Sequence, residues 1–341
     1  MLWASPKTDI SPEEHTHVAS SSQRQSIRRT ERRKYPPLIK RVTPKDLGLG
    51  MTVCIAAICD GGKAIAVAMD QMISTESVSA NVGMKGIKAH ERWLVMYAGD
   101  ISRVEFIIEH FHFRLGEEQQ KRGFSVPPAY LVEDTFSWVL HYEIQAETKR
   151  NILGRYGLDM PSFLAKGRAY FGDAVFEEVK REVDAVRLGC EFLVVGFAED
   201  DTARLFGFIS PGSAEPVAQR YAPIGFWAIG SGATNALASL MFHGHQQAAP
   251  HGLGLYHVCD AKFMAESALG VGDTTVLGVF RSDGEIGYLS NRQIADVRKI
   301  WDKRGKPRVP KGIANEIQKN LCWDVKTPND DISKEPKAGG A

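Results

Sequence analysis

The chain has no apolar run long enough to cross a bilayer, although its 341 residues are 43% hydrophobic. A membrane-spanning helix needs about 20 consecutive apolar residues. The first 30 residues also lack the apolar core of a secretory signal. These two absences predict a soluble, cytoplasmic protein without a membrane partner.

Cysteine is scarce, and its spacing matches neither a disulfide framework nor a metal site. The five cysteines include no C-x-x-C pair, and an odd number of them cannot all be paired within one chain. A reducing compartment is the simplest interpretation. The five are Cys54, Cys59, Cys190, Cys259 and Cys322.

The sequence also lacks a large excess of either charge. Its formal net charge of +1 gives no indication of a nucleic-acid partner. Residues 1–50, however, hold ten Lys or Arg against five Asp or Glu, with much Ser and Pro and no sustained apolar periodicity. We therefore predict that residues 1–51 are a leader that is disordered or removed. It remains open whether this leader is a basic interaction arm, a pro-segment, or an extension ahead of a true initiator at Met51.

Short apolar runs dominate the body that follows. Residues 53–58 and 63–69 predict a β-hairpin, and because neither run alternates with polar residues, both faces of its strands should be covered. Residues 93–98 predict another strand, followed by an amphipathic helix over about 102–117.

The second half repeats this pattern of strands and helices. Residues 128–187 have helical spacing that is broken around Gly154 to Pro161. Further strands are predicted at 191–198, 203–210, 274–280 and 285–290. Another strand is predicted to end at Gly230 to Gly232 and to lead into a helix. A further helix is predicted at about 254–270. The order of these elements favours an α+β fold with two sheets between helical layers. Residues 305–341 are polar and predict a loose C-terminal extension.

Thr52 stands directly after Met51 and directly before the first strand. Removal of the initiator Met, or cleavage of the Met51–Thr52 bond, would make Thr52 the amino terminus. An amino-terminal threonine places a hydroxyl nucleophile beside an α-amine whose pKa lies near neutrality, so that one residue supplies both nucleophile and base. A cation nearby would favour the alkoxide, a carboxylate would orient that cation, and a backbone N–H would stabilise the oxyanion.

Three segments of the chain carry a family resemblance. The run from Thr52 through CDGGKAIAVAMD, then KGIKAHERWLVMYAG, and then IGSGATNALASLM resembles the catalytic β-type subunits of the proteasome and their bacterial relatives. In that family a nucleophilic Thr opens the first strand, an Asp closes the second, a Lys lies on the third, a Gly ends the next strand, and a GSG turn precedes a helix. The matching residues here are Thr52, Asp70, Lys85, Gly99 and Ser231.

The resemblance implies a role for each matching residue. Thr52 would attack, Lys85 would tune its proton affinity, and Asp70 would hold Lys85. Gly99 would lend its N–H to the oxyanion, and Ser231 would hydrogen-bond near the Thr52 amine.

The family's second carboxylate, which supports the serine, is assigned to Asp273. The segment around it, GVGDTTVLG, matches the family only loosely.

The fold implied by the resemblance is that of the N-terminal nucleophile (Ntn) hydrolases, a four-layer αββα sandwich of two antiparallel sheets. It would form one domain over residues 52–304, with a helical insertion at about 145–187 that has no counterpart in the family. The chain departs from the family in further ways, among them a first hairpin about two residues longer than is typical. Met72 replaces a usual basic residue, and Met51 stands where a Gly usually precedes the Thr.

The resulting functional hypothesis is a threonine-type endopeptidase or amidase that needs no cofactor and no metal. The resemblance implies a peptide or unfolded-protein substrate and self-assembly into a ring, and it leaves open whether an unfoldase is a partner. Two alternatives remain: a non-catalytic ring subunit, and a non-peptide amidase of the Ntn group.

Some residues in these segments have simpler interpretations. Cys54 would face the same side of the strand as Thr52, and we interpret it as a small buried hydrophobe. The pairs His110 with His112 and His243 with His245 lack a third ligand with convincing spacing, so no metal is expected there.

Overall fold

The structure is a computed structural model that describes residues 52–74, 79–81, 83–209 and 216–308. The leader 1–51 and residues 309–341 of the predicted C-terminal extension lie outside the described residues.

The described part of the chain is α+β, as predicted, with twelve strands and seven α-helices. The strands are β1 Cys54–Cys59, β2 Ala64–Asp70, β3 Met72–Ser74, β4 Ser79–Asn81, β5 Gly86–His90, β6 Trp93–Gly99, β7 Cys190–Phe197, β8 Ala203–Ile209, β9 Gln219–Arg220, β10 Phe226–Ile229, β11 Thr275–Arg281 and β12 Ile286–Tyr288. The helices are α1 Ile101–Arg122, α2 Ala129–Asn151, α3 Met160–Phe171, α4 Asp173–Asp184, α5 Ala233–Phe242, α6 His251–Ala265 and α7 Asn291–Ile300.

Ten of the strands form two antiparallel sheets of five. The first sheet has the order β10-β1-β2-β11-β12, and the second has the order β5-β6-β7-β8-β9. Strands β3 and β4 form a separate two-stranded ribbon. The predicted hairpin is confirmed as β1 and β2, which pair with Cys54 opposite Met69.

The apolar core lies in three layers around these sheets. One layer lies between the sheets and includes Ala56, Val67 and Leu94. A second layer packs α5 and α6 on the first sheet, and a third packs α1 and α2 on the second sheet. All residues of β1 and β2 are buried, which confirms that both faces of this hairpin are covered. The many alanines of the hairpin allow close approach of the neighbouring layers.

The helical segment 128–187 is broken near the predicted position. Helix α2 ends at Asn151, a short 3₁₀ turn follows at Leu153–Tyr156, and α3 begins at Met160. Helices α3 and α4 share a small core of their own, in which the rings of Phe163 and Phe176 stack at 4.9 Å. That residues 145–187 are an insertion stays a prediction.

Helix α1 is longer than predicted because its ends are well capped. The Asp100 carboxylate accepts a hydrogen bond from the Ser102 N–H, at 3.0 Å, where the helix begins. Gly123 ends the helix in a left-handed conformation, with φ of 70°.

Helices α6 and α7 differ most from the prediction. Helix α6 ends at Ala265, five residues earlier than expected, and a turn follows. Helix α7 was not predicted, although Ser290 and Gln293 form a capping box at its start. The buried Trp301 follows α7 and packs on Phe263 with ring centroids 5.2 Å apart.

In the described ranges, no helix combines the length and the apolar character that a membrane crossing requires.

Candidate active site

Antiparallel pairing of β1 and β2 brings Thr52 and Asp70 together. Thr52 lies just before β1, and Asp70 is the last residue of β2. The Asp70 N–H donates to the Val53 carbonyl at 3.2 Å, so the pairing extends to this end of the hairpin. Two residues 18 positions apart in sequence thus become neighbours, and the Thr52 hydroxyl donates a hydrogen bond to Asp70 Oδ1.

Lys85 reaches the same hydroxyl from the second sheet. It lies one residue before β5, and its carbonyl accepts a hydrogen bond from the Tyr97 N–H of β6 at 3.1 Å. The Lys85 ammonium donates to Asp70 Oδ1 at 2.8 Å and also to Thr52 Oγ1. The three groups therefore form a closed triangle of hydrogen bonds between the sheets.

The triangle is removed from solvent. The exposed fractions are 1% for Thr52, 0% for Asp70 and 5% for Lys85. Desolvation of an ion pair costs free energy that the mutual attraction only partly returns, and apolar side chains of similar size often stabilise a core as well or better. Fold stability alone therefore does not explain why the Lys85–Asp70 ion pair surrounds the Thr52 hydroxyl.

Backbone groups complete the hydrogen bonds of the Asp70 carboxylate. Oδ1 also accepts from the Val53 N–H at 3.4 Å, and Oδ2 accepts from the Gly272 N–H at 3.1 Å. Each oxygen thus has a backbone donor that holds the carboxylate in place.

Ser231 approaches Thr52 from the turn between β10 and α5. The Thr52 N–H donates to Ser231 Oγ at 3.2 Å, and the Ser231 hydroxyl lies 3.3 Å from the Thr52 carbonyl oxygen. Gly230 has φ of +89°, and a Cβ there would lie 2.4 Å from that same carbonyl oxygen. Glycine is therefore required for the turn to come this close to the backbone of Thr52.

Asp273 lies beside the site without contacting Ser231, and its assigned support of that serine stays a prediction. Its side chain is exposed, and in the part of the chain that the structure describes no hydrogen bond joins it to Ser231. Two backbone groups just before Asp273 contact the site instead. The Leu269 carbonyl oxygen lies 3.4 Å from Ser231 Oγ, and the Gly272 N–H bonds to Asp70.

Gly99 lies at the end of β6, opposite Cys190 on β7. Its φ is +108°, and a Cβ would lie 2.2 Å from the Gly189 carbonyl oxygen, so a side chain is excluded. Across the described residues, no hydrogen bond connects Gly99 to Thr52. Its assignment as an oxyanion donor concerns a bound substrate and stays a prediction.

Glu191 also belongs to this region, and its place at the site was not predicted from the sequence. It lies on the same face of β7 as Leu193 and Val195, which pack between the sheets. Its Oε2 accepts a hydrogen bond from the Gly230 N–H at 2.9 Å. Glu191 thus supports, from the second sheet, the turn that contacts Thr52. The only signal in the sequence is an acidic residue at the head of the apolar run EFLVVGFA.

Cys54 is fully buried two residues after Thr52 and is a poor nucleophile. Its thiol donates to the Tyr97 carbonyl at 3.3 Å. Burial raises the pKa of Cys54 to about 12, so the reactive thiolate is not formed at neutral pH. Its burial agrees with the interpretation as a small hydrophobe.

The second histidine pair noted in the sequence, His243 and His245, forms hydrogen bonds to other side chains. His243 bonds to Asp260 at 2.9 Å, and His245 bonds to His257 at 3.1 Å. Within the ranges that the structure describes, no group of three or more His, Cys, Asp or Glu residues could hold a metal ion.

Comparison of the chain with known proteins finds no family model and no curated protein that matches it.

Proposed function

We propose that the chain is an N-terminal nucleophile hydrolase whose nucleophile is Thr52, exposed when residues 1–51 are removed. One observation carries the proposal. The Lys85 ammonium and the Asp70 carboxylate both bond to the Thr52 hydroxyl in a buried site. This is the environment that an activated hydroxyl requires, since a cation stabilises the alkoxide and a carboxylate orients the cation.

The reaction is acyl transfer in two steps. The free α-amine of Thr52, which is held near Ser231, takes the hydroxyl proton while Oγ1 attacks the carbonyl carbon of an amide. The C–N bond of the tetrahedral adduct breaks, the amine returns the proton to the leaving nitrogen, and an ester to Thr52 remains. Water then hydrolyses the ester, with the same amine as base, and frees the carboxylic acid.

Each side chain has a separate role in this scheme. Lys85 stabilises negative charge on Oγ1, and Asp70 holds Lys85 in position. Ser231 orients the amine, and the Gly99 N–H stabilises the oxyanion. This scheme does not use Asp273, whose support of Ser231 stays a prediction.

The described fold is compatible with this proposal. Two packed antiparallel sheets with helices on their outer faces fit the αββα sandwich of the Ntn hydrolases. By the same resemblance the substrate is a peptide or an unfolded protein, and the enzyme assembles into a ring.

The proposal is tested on the full-length chain by intact mass measurement, followed by incubation with a β-lactone or epoxyketone probe. We expect a mature chain that begins at Thr52, with one probe molecule bound to that residue. Thr52→Ala should abolish both hydrolysis and labelling, whereas Thr202→Ala, which changes an exposed threonine in a turn, should change neither.

Two results would count against this function. A protein that retains residues 1–51 and still hydrolyses substrates would exclude the mechanism. Assembly without any labelling would instead support the non-catalytic subunit. A panel of peptide and non-peptide amides separates a peptidase from an amidase of other substrates.

A further inference from the structure

Lys262 is a buried cation that lies outside the Thr52 triangle. It belongs to α6, and its exposed fraction is 0%. Its ammonium donates to the Gly272 carbonyl at 2.8 Å and to Glu266 Oε1 at 2.8 Å. Glu266 also accepts a hydrogen bond from Arg298 at 2.7 Å. Lys262 thus ties the end of α6 to the turn that precedes β11.

Gly272 connects Lys262 to the Thr52 triangle. Its carbonyl accepts from Lys262, while its N–H donates to Asp70 Oδ2 at 3.1 Å. A Cβ at this position would lie 2.7 Å from the Cβ of Met72, so no side chain fits. Only the backbone N–H of Gly272 reaches Asp70. The direction of that N–H depends on the groups that hold the Gly272 backbone in place.

The same turn contacts the other half of the site. The Leu269 carbonyl oxygen lies 3.4 Å from Ser231 Oγ. The turn over residues 267–272 therefore touches both Asp70 and Ser231. A displacement of the turn would disturb the carboxylate and the serine together.

Holding a turn with a buried charged side chain costs desolvation free energy. Burial lowers the pKa of Lys262, while the carboxylates of Glu266 and Asp70 favour its charged form. An apolar side chain would fill this space without that desolvation cost. The positive charge is instead explained by its ion pair with Glu266, its hydrogen bond to the Gly272 carbonyl and its electrostatic interaction with Asp70.

We infer that Lys262 is a positioning residue for the Thr52 site. It fixes Gly272 so that the Gly272 N–H stays directed at Asp70, and it adds positive charge behind the carboxylate. Its effect on the reaction rests on the proposed function, whereas its effect on the turn does not.

The test compares Lys262→Met, Lys262→Arg and a control variant, Val258→Ala, which removes buried apolar volume one turn earlier in the same helix. Hydrogen exchange measured by mass spectrometry follows the peptide that contains Gly272. The rate of β-lactone capture and the pH dependence of that rate report on the Thr52 site.

For Lys262→Met we expect faster exchange at Gly272 and capture slowed about 10- to 100-fold at saturating probe, by analogy with metal ligands that lose an outer-shell partner. Probe affinity should be nearly unchanged. Because removal of a positive charge makes deprotonation in the site harder, the acidic limb of the pH profile should move to higher pH. Lys262→Arg should restore part of the rate and of the profile.

Val258→Ala should lower the melting temperature and leave capture and its pH profile unchanged. The inference is overturned if Lys262→Met matches Val258→Ala in exchange, rate and profile. If Lys262→Met does not fold, Glu266→Gln takes its place, since it weakens the anchor of Lys262. It should give faster exchange at Gly272 and a smaller loss of rate than Lys262→Met, and unchanged exchange and rate would again refute the inference.

Failure of the proposed function gives a different result, because the wild-type protein would then resist capture. Exchange at Gly272 would still decide whether Lys262 holds the turn.

Discussion

Strand β1 has a buried polar cluster near each end, and the two clusters are built differently. Near Thr52, a cation and a carboxylate from different sheets converge on one hydroxyl. Near Ile58, whose carbonyl lies 2.9 Å from His245 Nε2, the second cluster joins neighbouring helices. We define this histidine cluster as Ser239, His243, His245, His257, Asp260 and Trp301.

The hydrogen bonds of the histidine cluster connect different secondary-structure elements. The Asp260 carboxylate of α6 accepts from Ser239 of α5 and from the Trp301 indole N–H, and it also bonds to His243. Each bond links α6 to another element, which is what a structural network does. The Thr52 site differs in that its cation and carboxylate both bond to one hydroxyl, which fits its proposed catalytic role, whereas the Asp260 carboxylate only joins neighbouring elements.

The largest expected effect is that of Lys85→Met. Loss of the ammonium removes the stabilisation of charge on Thr52 Oγ1, and we expect activity per folded molecule to fall about 10³-fold. Asp70 keeps its backbone donors from Val53 and Gly272, so the variant should still fold. Steady-state hydrolysis, normalised to the folded fraction, measures the effect. Lys88→Met, at an exposed position on β5, is the matched control, and equal activity of the two variants would refute the contrast.

The second prediction concerns Asp260→Asn, which changes the histidine cluster. An amide retains one acceptor oxygen, so part of the hydrogen bonding to Trp301, Ser239 and His243 is lost. We expect the free energy of unfolding to fall by about 2–3 kcal/mol. Urea unfolding followed by tryptophan fluorescence measures it, with Asp296→Asn on the surface of α7 as the control. Activity per folded molecule should stay at the wild-type level, and a large loss of it would remove the distinction between the clusters.

A smaller effect is expected for Glu191→Gln. Glutamine still accepts from the Gly230 N–H, but without the charge that strengthens the bond. The turn that carries Ser231 should then be held less firmly, and activity should fall about 10-fold, which corresponds to about 1.4 kcal/mol. Glu199→Gln changes an exposed carboxylate just beyond the other end of β7 and should leave activity unchanged. If both variants are fully active, Glu191 does not support the site.

The smallest effect is a pH dependence of stability in the histidine cluster. Burial, with the nearby His243 and His245, lowers the pKa of His257 from its ordinary 6.5 to about 4. Between these values the unfolded chain binds a proton that the folded chain does not, so stability is lost as the pH falls through this range. The urea midpoint should therefore decrease from pH 7.5 to pH 5. His257→Gln should make this decrease shallower, and an equal decrease in both proteins would contradict the assignment.

Much of the site could be predicted because its residues lie at the ends of strongly patterned strands. The uninterrupted apolar runs of β1 and β2 predict a hairpin, and a hairpin brings Thr52 close to Asp70. The contact with Lys85 was predicted only through the family resemblance, since Lys85 precedes a short strand of the other sheet.

The site contacts that were not predicted could not be recognised from the types of the residues that make them. The Leu269 carbonyl and the Gly272 N–H are backbone groups, which a residue type does not mark, and the family resemblance pointed to the nearby carboxylate of Asp273 instead. Glu191 and Gly230 lie 39 positions apart and meet only because the two sheets pack on one another. Such contacts follow from tertiary packing and not from local pattern.

The four described cysteines have a practical consequence for measurements of local opening. Burial raises the pKa of Cys54, Cys190 and Cys259 to about 12 and that of Cys59 to about 11, so alkylating reagents should react with them slowly while the protein is folded. Cys54 and Cys59 mark the ends of β1, Cys190 marks β7, and Cys259 marks α6. The order in which these thiols become alkylated in mild denaturant would therefore report which layer of the protein separates first.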